Sequence, residues 1–162
     1  MELIRADSGM AEDIAPLIAG FRVVLRSLKG EVSEPDIDSG REEFLEFLRA
    51  GYPVFAAVEE GSAIGYVVCR IEAPCLWVEH LYVRDEHRRR GVASMLFEKA
   101  EELAAEMGED TVFNFVHPNN ERIIGFLRSK GYTVLNMIEL RKPYRGEKPE
   151  GKINVGKNEF DY

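Results

Sequence analysis

Residues 77–94 read WVEHLYVRDEHRRRGVAS. A short apolar run, residues 77–83, predicts a strand. A charged turn follows and opens directly onto a helical pattern that starts at Arg88-Arg89-Arg90-Gly91-Val92-Ala93. A strand that feeds a glycine-containing turn onto a helix N-terminus builds an anion site. The first N–H groups of a helix lack partners inside it, and the helix dipole favours negative charge there. Gly91 permits close approach to the main chain, and three consecutive arginines add positive charge. A diphosphate-bearing ligand suits such a site.

Spacing narrows the choice. The phosphate loop G-x-x-x-x-G-K-S/T and the dinucleotide fingerprint G-x-G-x-x-G are both absent. The turn instead reads Arg88-x-x-Gly91-x-Ala93. A second element follows downstream, Asn120-Glu-Arg-Ile-Ile-Gly-Phe-Leu-Arg-Ser-Lys-Gly131-Tyr132. The first segment resembles motif A of the GNAT superfamily of acetyl-CoA-dependent N-acetyltransferases, Q/R-x-x-G-x-G/A. The second resembles that family's motif B, N-x-x-A-x-x-F/L-Y-x-x-x-G-F/Y. Together they cover residues 77–132.

The remainder of the chain fits the same picture. Its 162 residues, 45% hydrophobic and 31% charged, suit one soluble domain with one core. The expected domain is residues 1–162, with a polar, turn-rich tail at 141–162. No apolar run approaches the ~18 residues of a membrane span. The N-terminus lacks the basic and apolar regions of a signal peptide, so cytoplasmic residence is expected. A net charge of −8 argues against nucleic acid as the main partner. The chain has no Gln, two Thr and abundant Glu, Arg and Lys, a bias typical of thermophile proteins. Cys69 and Cys75 form no metal-ligand pattern, and no metal is expected. The two thiols would face each other if a hairpin folds at Ala73-Pro74; the plainer reading is two free, partly buried thiols.

Periodicity gives the elements. Residues 2–6 read as a strand. Residues 11–29 read as an amphipathic helix that tolerates Pro16 only in its first turns. Residues 30–40 form an acidic loop, and residues 41–50 a second helix. Three strand-like runs follow at 53–58, 63–71 and 76–83, joined by turns at Glu60-Gly61 and at residues 72–74. A helix over 92–107, closed by Gly108, precedes a strand at 111–116. Asn119 or Asn120 then caps a helix ending near Lys130. A strand at 132–140 and alternation at Ile153, Val155, Phe160 and Tyr162 complete the chain. This order implies an α/β fold with a mixed, mainly antiparallel central sheet of six or seven strands and helices on both faces. GNAT proteins show the same order.

The resemblance implies the site. Backbone groups of Leu81, Tyr82 and Val83 would face the pantetheine arm and acetyl group of acetyl-CoA. Residues Arg88, Arg89, Arg90, Gly91, Val92, Ala93 and Ser94 would face its pyrophosphate. Asn120 would cap its helix and touch the same co-substrate. Arg89 stands where the family often has glycine, a change a main-chain role survives. Asn114 and His117 would end near the pantetheine or the acceptor.

Amine acetylation needs a proton acceptor and a donor to the carbonyl oxygen. Strand alternation puts Trp77, Glu79, Leu81 and Val83 on one face and Val78, His80 and Tyr82 on the other. A carboxylate in an otherwise apolar strand is expensive unless it serves something. Glu79 aligns with the strand glutamate that polyamine acetyltransferases of the superfamily use as base. His80 is the alternative base, or a core histidine. The family's acidic tyrosine falls at Leu127, which cannot donate a proton. Either no protein acid is needed or another group substitutes, with Tyr82, Tyr132, Tyr144 and His117 nearest in sequence.

The acceptor pocket is implied to involve Phe21, Arg22, Leu25 and the loop at 31–38. Its acidity suggests a cationic amine or a protein amine. The expected function is therefore acetyl transfer from acetyl-CoA to a primary amine in a ternary complex. The alternatives are a non-catalytic acyl-CoA-binding regulatory module and a purely structural protein on this fold. An exposed edge strand would allow a homodimer.

Overall fold

The computed structural model describes residues 1–162. The chain forms two compact units, Met1–Ile124 and Gly125–Tyr162. Chain order is β1 (Glu2–Arg5), α1 (Ala11–Ser27), α2 (Ile37–Arg49), β2 (Val54–Glu59), β3 (Ser62–Glu72), β4 (Cys75–Val83), α3 (Val92–Glu106), β5 (Phe113–Asn114), α4 (Glu121–Ser129), β6 (Lys152–Val155) and β7 (Asn158–Asp161). No helix is long and apolar enough to cross a membrane.

The first unit holds a sheet in the order β1-β2-β3-β4-β5. Its first four strands are antiparallel neighbours; β5 runs parallel to β4. The sheet is mixed and mainly antiparallel as expected, but it has five strands rather than six or seven. Residues 132–140 account for the difference. They carry strand-forming side chains but join no strand ladder, and propensity without a neighbouring strand does not make a strand. Val134, Leu135 and Met137 lie exposed. In the second unit, β6 and β7 form a two-stranded antiparallel hairpin that pairs Ile153 with Phe160.

One core layer packs Ile14, Leu17, Ile18 and Phe44 from α1 and α2 against Val54, Ala56, Tyr66 and Val68 of the sheet. On the other face, α3 buries Val92, Leu96, Phe97, Ala100 and Ala104. Full burial of the Val, Leu, Ile and Phe side chains among them is worth about 1.5–3 kcal/mol each. Pro16 lies in the second turn of α1, which continues through it. α2 starts four residues earlier than its apolar pattern suggests. Asp36 caps it, accepting the Ser39 N–H at 3.0 Å and the Ser39 hydroxyl at 2.8 Å.

The β3–β4 hairpin turns at Ala73-Pro74. Its register pairs Cys69 with Val78 and Cys75 with Glu72. The cysteines therefore do not face each other, and both are free. Burial pushes the Cys69 thiol up to about 12, which leaves it inert.

Register also corrects the reading of β4. His80 pairs with Val68 while Val78 pairs with Cys69, so Glu79 is an extra, unpaired residue. Such a bulge bends its strand and re-aims its side chains. Trp77 and Glu79 consequently share a face with His80 and Tyr82: Arg70 lies over the Trp77 ring at 5.4 Å and donates to Glu79 at 2.9 Å. Leu81 and Val83 face the other way, toward α3; Gly65, the partner of Val83, abuts Leu96. Strict alternation fails because one residue was added.

Candidate active site

The bulge has a second effect. The parallel β4–β5 ladder contains only Trp77 with Phe113 and Val78 with Asn114. It stops where Glu79 begins, so the strand expected over 111–116 shrinks to two residues. Beyond that point β4 pairs only with β3. The Arg84 N–H bonds the Ile64 carbonyl at 2.9 Å. Antiparallel alternation then aims the peptide groups of Tyr82 at β3, and those of Val83 and Leu81 away from it. The Val83 carbonyl, on that open side, accepts from Arg88 Nε at 3.0 Å. An extended, amide-bearing chain could lie in this gap and take the Leu81 and Val83 N–H groups as a new strand would.

The turn after β4 leads to the N-terminus of α3. Gly91 sits at the cap with φ of +81° and supplies no capping side chain. The first N–H to bond back is that of Met95, to the Gly91 carbonyl at 3.0 Å. The N–H groups of Val92, Ala93 and Ser94 thus lack helical partners at the positive end of a helix of 15 residues. This arrangement accommodates phosphate oxygens. The arginines are less free than their sequence suggests. Arg88 pairs with Asp85 at 2.5 Å and Arg90 with Glu59 at 2.7 Å. Arg89 is exposed and itself left-handed, with φ of +58°. The turn offers main-chain donors more than free guanidinium groups.

Asn120 caps α4: its Oδ1 accepts the Ile123 N–H at 3.3 Å. Leu127 is buried in the same helix. Asn114 donates within its own strand to the Val112 carbonyl at 3.4 Å. His117 Nδ1 accepts the Asn119 N–H at 3.2 Å.

On the α1 and α2 face of β4 the polar groups are connected. His80 is only 4% exposed. The Phe21 ring lies 4.2 Å from its ring and Phe47 5.0 Å, centroid to centroid. Burial and the Arg22 charge hold its imidazole down to about 3. A neutral imidazole of such low basicity is a poor proton acceptor. The Glu79 side chain is 34% exposed. His80 Nδ1 lies 3.0 Å from the Tyr66 hydroxyl, and Nε2 lies 3.4 Å from Arg22 Nη2. Arg22 also grips Glu43 in two places, Nε to Oε2 at 2.9 Å and Nη2 to Oε1.

Glu43 is the residue that sequence reading missed. It sits among other carboxylates on an amphipathic helix, with no motif to single it out. The acidic loop fares the opposite way. Asp36 serves as a helix cap and Asp38 pairs with Arg41. Tyr82 packs its ring against Phe21; partial burial, with Asp85 nearby, keeps its phenol neutral.

Residues 21–132 match the family model described as the acetyltransferase (GNAT) family. The chain belongs to the GNAT acetyltransferase family. Its fold resembles that of an aminoglycoside antibiotic 6'-N-acetyltransferase from Acinetobacter haemolyticus, with TM-score 0.67 and 21% identity, over 90% of this chain and 99% of that one. A ribosomal-protein-alanine N-acetyltransferase from Brucella melitensis biovar Abortus 2308 gives 0.68 and 17%, over 89% and 100%. A further aminoglycoside N-acetyltransferase, solved in complex with the bisubstrate analogue CoA-S-monomethyl-acetylneamine, gives 0.65 and 21%, over 88% and 98%.

Proposed function

We propose that this acetyltransferase moves an acetyl group from acetyl-CoA directly to a primary amine, with both substrates bound at once. The observation that carries the reading is the Glu79 bulge, which does two jobs with one residue. It brings a carboxylate to the α1 and α2 face of β4. It also ends the β4–β5 ladder, leaving the Leu81 and Val83 amides unpaired beside the uncapped start of α3.

The chemistry follows. The N–H groups of Val92, Ala93 and Ser94 hold the pyrophosphate of acetyl-CoA. The Leu81 N–H holds its extended arm. The Val83 N–H meets the thioester oxygen and stabilises the negative charge that grows there. Glu79 accepts the amine proton through water. The nitrogen then forms the N–C bond and the C–S bond breaks. The surplus proton ends on the departing thiolate. Leu127 cannot deliver that proton, so it arrives from solvent or from Glu79 by way of water. Holding both partners in line supplies much of the acceleration.

Calorimetric titration with acetyl-CoA, repeated with Glu79→Gln, tests this. Micromolar binding, about −8 kcal/mol, is expected of both forms. The variant should lose about a hundredfold or more in turnover of an amine. Equal binding with no turnover by either form would mark the chain as an acyl-CoA-binding regulatory module. No binding at tens of micromolar would reject the donor site.

A further inference from the structure

The connected side chains under β4 carry an inference about the acceptor, and it rests on the acetyl-transfer reading above. Arg22 uses Nε and Nη2 on Glu43, and Nη2 also reaches His80. Its Nη1 has no partner, and the side chain is 44% exposed. Behind it the network runs inward through His80 to Tyr66, which is fully buried. Fastening α1 to α2 would need only the Arg22–Glu43 pair, and a buried polar network adds little stability in itself. A rigid chain of partners that ends in one solvent-facing donor has the form of a recognition device.

Its position gives it a target. His80, on which Arg22 rests, is the residue next to Glu79, and the bulge puts both on one face. On this placement an amine delivering its proton toward Glu79 would present its neighbouring atoms to the face that carries Arg22. A guanidinium has donors only, so the atom it meets must be an acceptor. Its fixed positive charge also disfavours the ammonium form of the bound amine and favours the neutral nucleophile.

We propose that Arg22 is a specificity-determining residue that binds, through Nη1, a carbonyl or carboxylate oxygen next to the reacting amine. The acceptor class is the α-aminoacyl group, as at the amino terminus of a peptide, rather than an alkyl polyamine. Glu43, His80 and Tyr66 are positioning residues for Arg22.

The test compares alaninamide, alanine, 2-aminobutane and spermidine as acceptors for the wild type and Arg22→Met. 2-Aminobutane has the shape of alaninamide without the oxygen. Both amines meet both proteins, so their intrinsic basicities cancel in the ratio of kcat/KM ratios. The wild type should favour alaninamide, and Arg22→Met should cut that preference about ten- to hundredfold, mainly through KM. Alanine in place of alaninamide tells carboxylate from carbonyl. Glu43→Gln, which frees Arg22 without removing it, should cut the preference partway and serves if Arg22→Met does not fold.

An unchanged preference, or a wild type that favours spermidine or 2-aminobutane, overturns the proposal. If no amine turns over, titration of alaninamide and 2-aminobutane into CoA-saturated protein decides it, and equal or absent binding overturns it. Acetyl-CoA binding is measured separately, so failure here leaves the donor site standing, and failure there is recognised as such.

Discussion

The two sides of β4 are built from different materials. On the proposed donor side the groups on offer are main-chain amides, at Leu81, Val83 and the first turn of α3, and the nearby arginine side chains are largely engaged by Asp85 and Glu59. On the proposed acceptor side they are side chains, Glu79, Arg22 and their partners, gathered from α1, α2, β3 and β4. A main-chain site depends on local conformation and tolerates side-chain change. A side-chain site depends on the spacing of whole elements and tolerates little. Substitutions should therefore separate the two sides.

The largest effect is expected where α1 meets α2. Gly40 lies within α2, and a Cβ there would sit 2.4 Å from the Ala15 carbonyl oxygen and 3.2 Å from the Ala19 nitrogen. In an open helix, glycine to alanine gains about 1 kcal/mol. Here the methyl group meets backbone, and the helices must separate. Gly40→Ala should lose about 2–3 kcal/mol of stability by denaturant titration. The displaced α2 carries Glu43 with it, so the KM for amine should rise. Acetyl-CoA affinity of the folded fraction should hold. A drop in acetyl-CoA affinity to match would erase the contrast between the two sides.

That contrast explains what could be read from sequence. The turn after β4 and the start of α3 were legible because their information is local. A strand, Arg88, Gly91 and Ala93 within six residues encode a turn and a helix start. Helices on both faces and a mainly antiparallel sheet followed from periodicity. The count of strands did not, because residues 132–140 have the right side chains but join no strand ladder, and pairing is a property of two segments. The faces of β4 were misassigned because one inserted residue reverses alternation, and no local residue type announces a bulge at Glu79. The early start of α2 had a signal, Asp36 with Ser39 three residues on, hidden inside an acidic stretch. Arg22 was within reach as a helix residue near the acceptor; its tie to Glu43, 21 residues away, was not.

An intermediate effect is expected from His80, which fixes the acceptor side against pH. Its imidazole stays neutral in the fold down to about 3, from burial and then from the Arg22 charge. The unfolded chain takes up that proton near pH 6.5. Stability is thus fully present above about 6.5 and falls as pH drops, by up to about 2 kcal/mol between pH 7 and 5. His117 is shifted in the same direction by burial and by Lys29 and adds to the slope. Denaturant midpoints measured across pH 7.5 to 5 should show the loss, and His80→Gln should flatten most of it. A slope unchanged in the variant would mean that His80 is protonated in the fold, and Arg22 could not then rest against it.

The smallest effect belongs to the donor turn and is the sharpest test of a main-chain site. Arg89 holds a left-handed conformation, φ of +58°, that costs a non-glycine residue about 1–2 kcal/mol. Glycine removes that cost but loses about 0.5–1 kcal/mol more on ordering. Arg89→Gly should therefore leave the melting temperature equal or slightly raised, within about 1 kcal/mol. Arg89→Val, β-branched at the same angle, should lower it. If backbone amides hold the pyrophosphate, acetyl-CoA affinity stays within about twofold in Arg89→Gly and keeps its salt dependence. If the exposed guanidinium holds it instead, affinity falls and its salt dependence weakens, because one charge pair has gone. The second outcome would make the donor side a side-chain site like its neighbour across the strand.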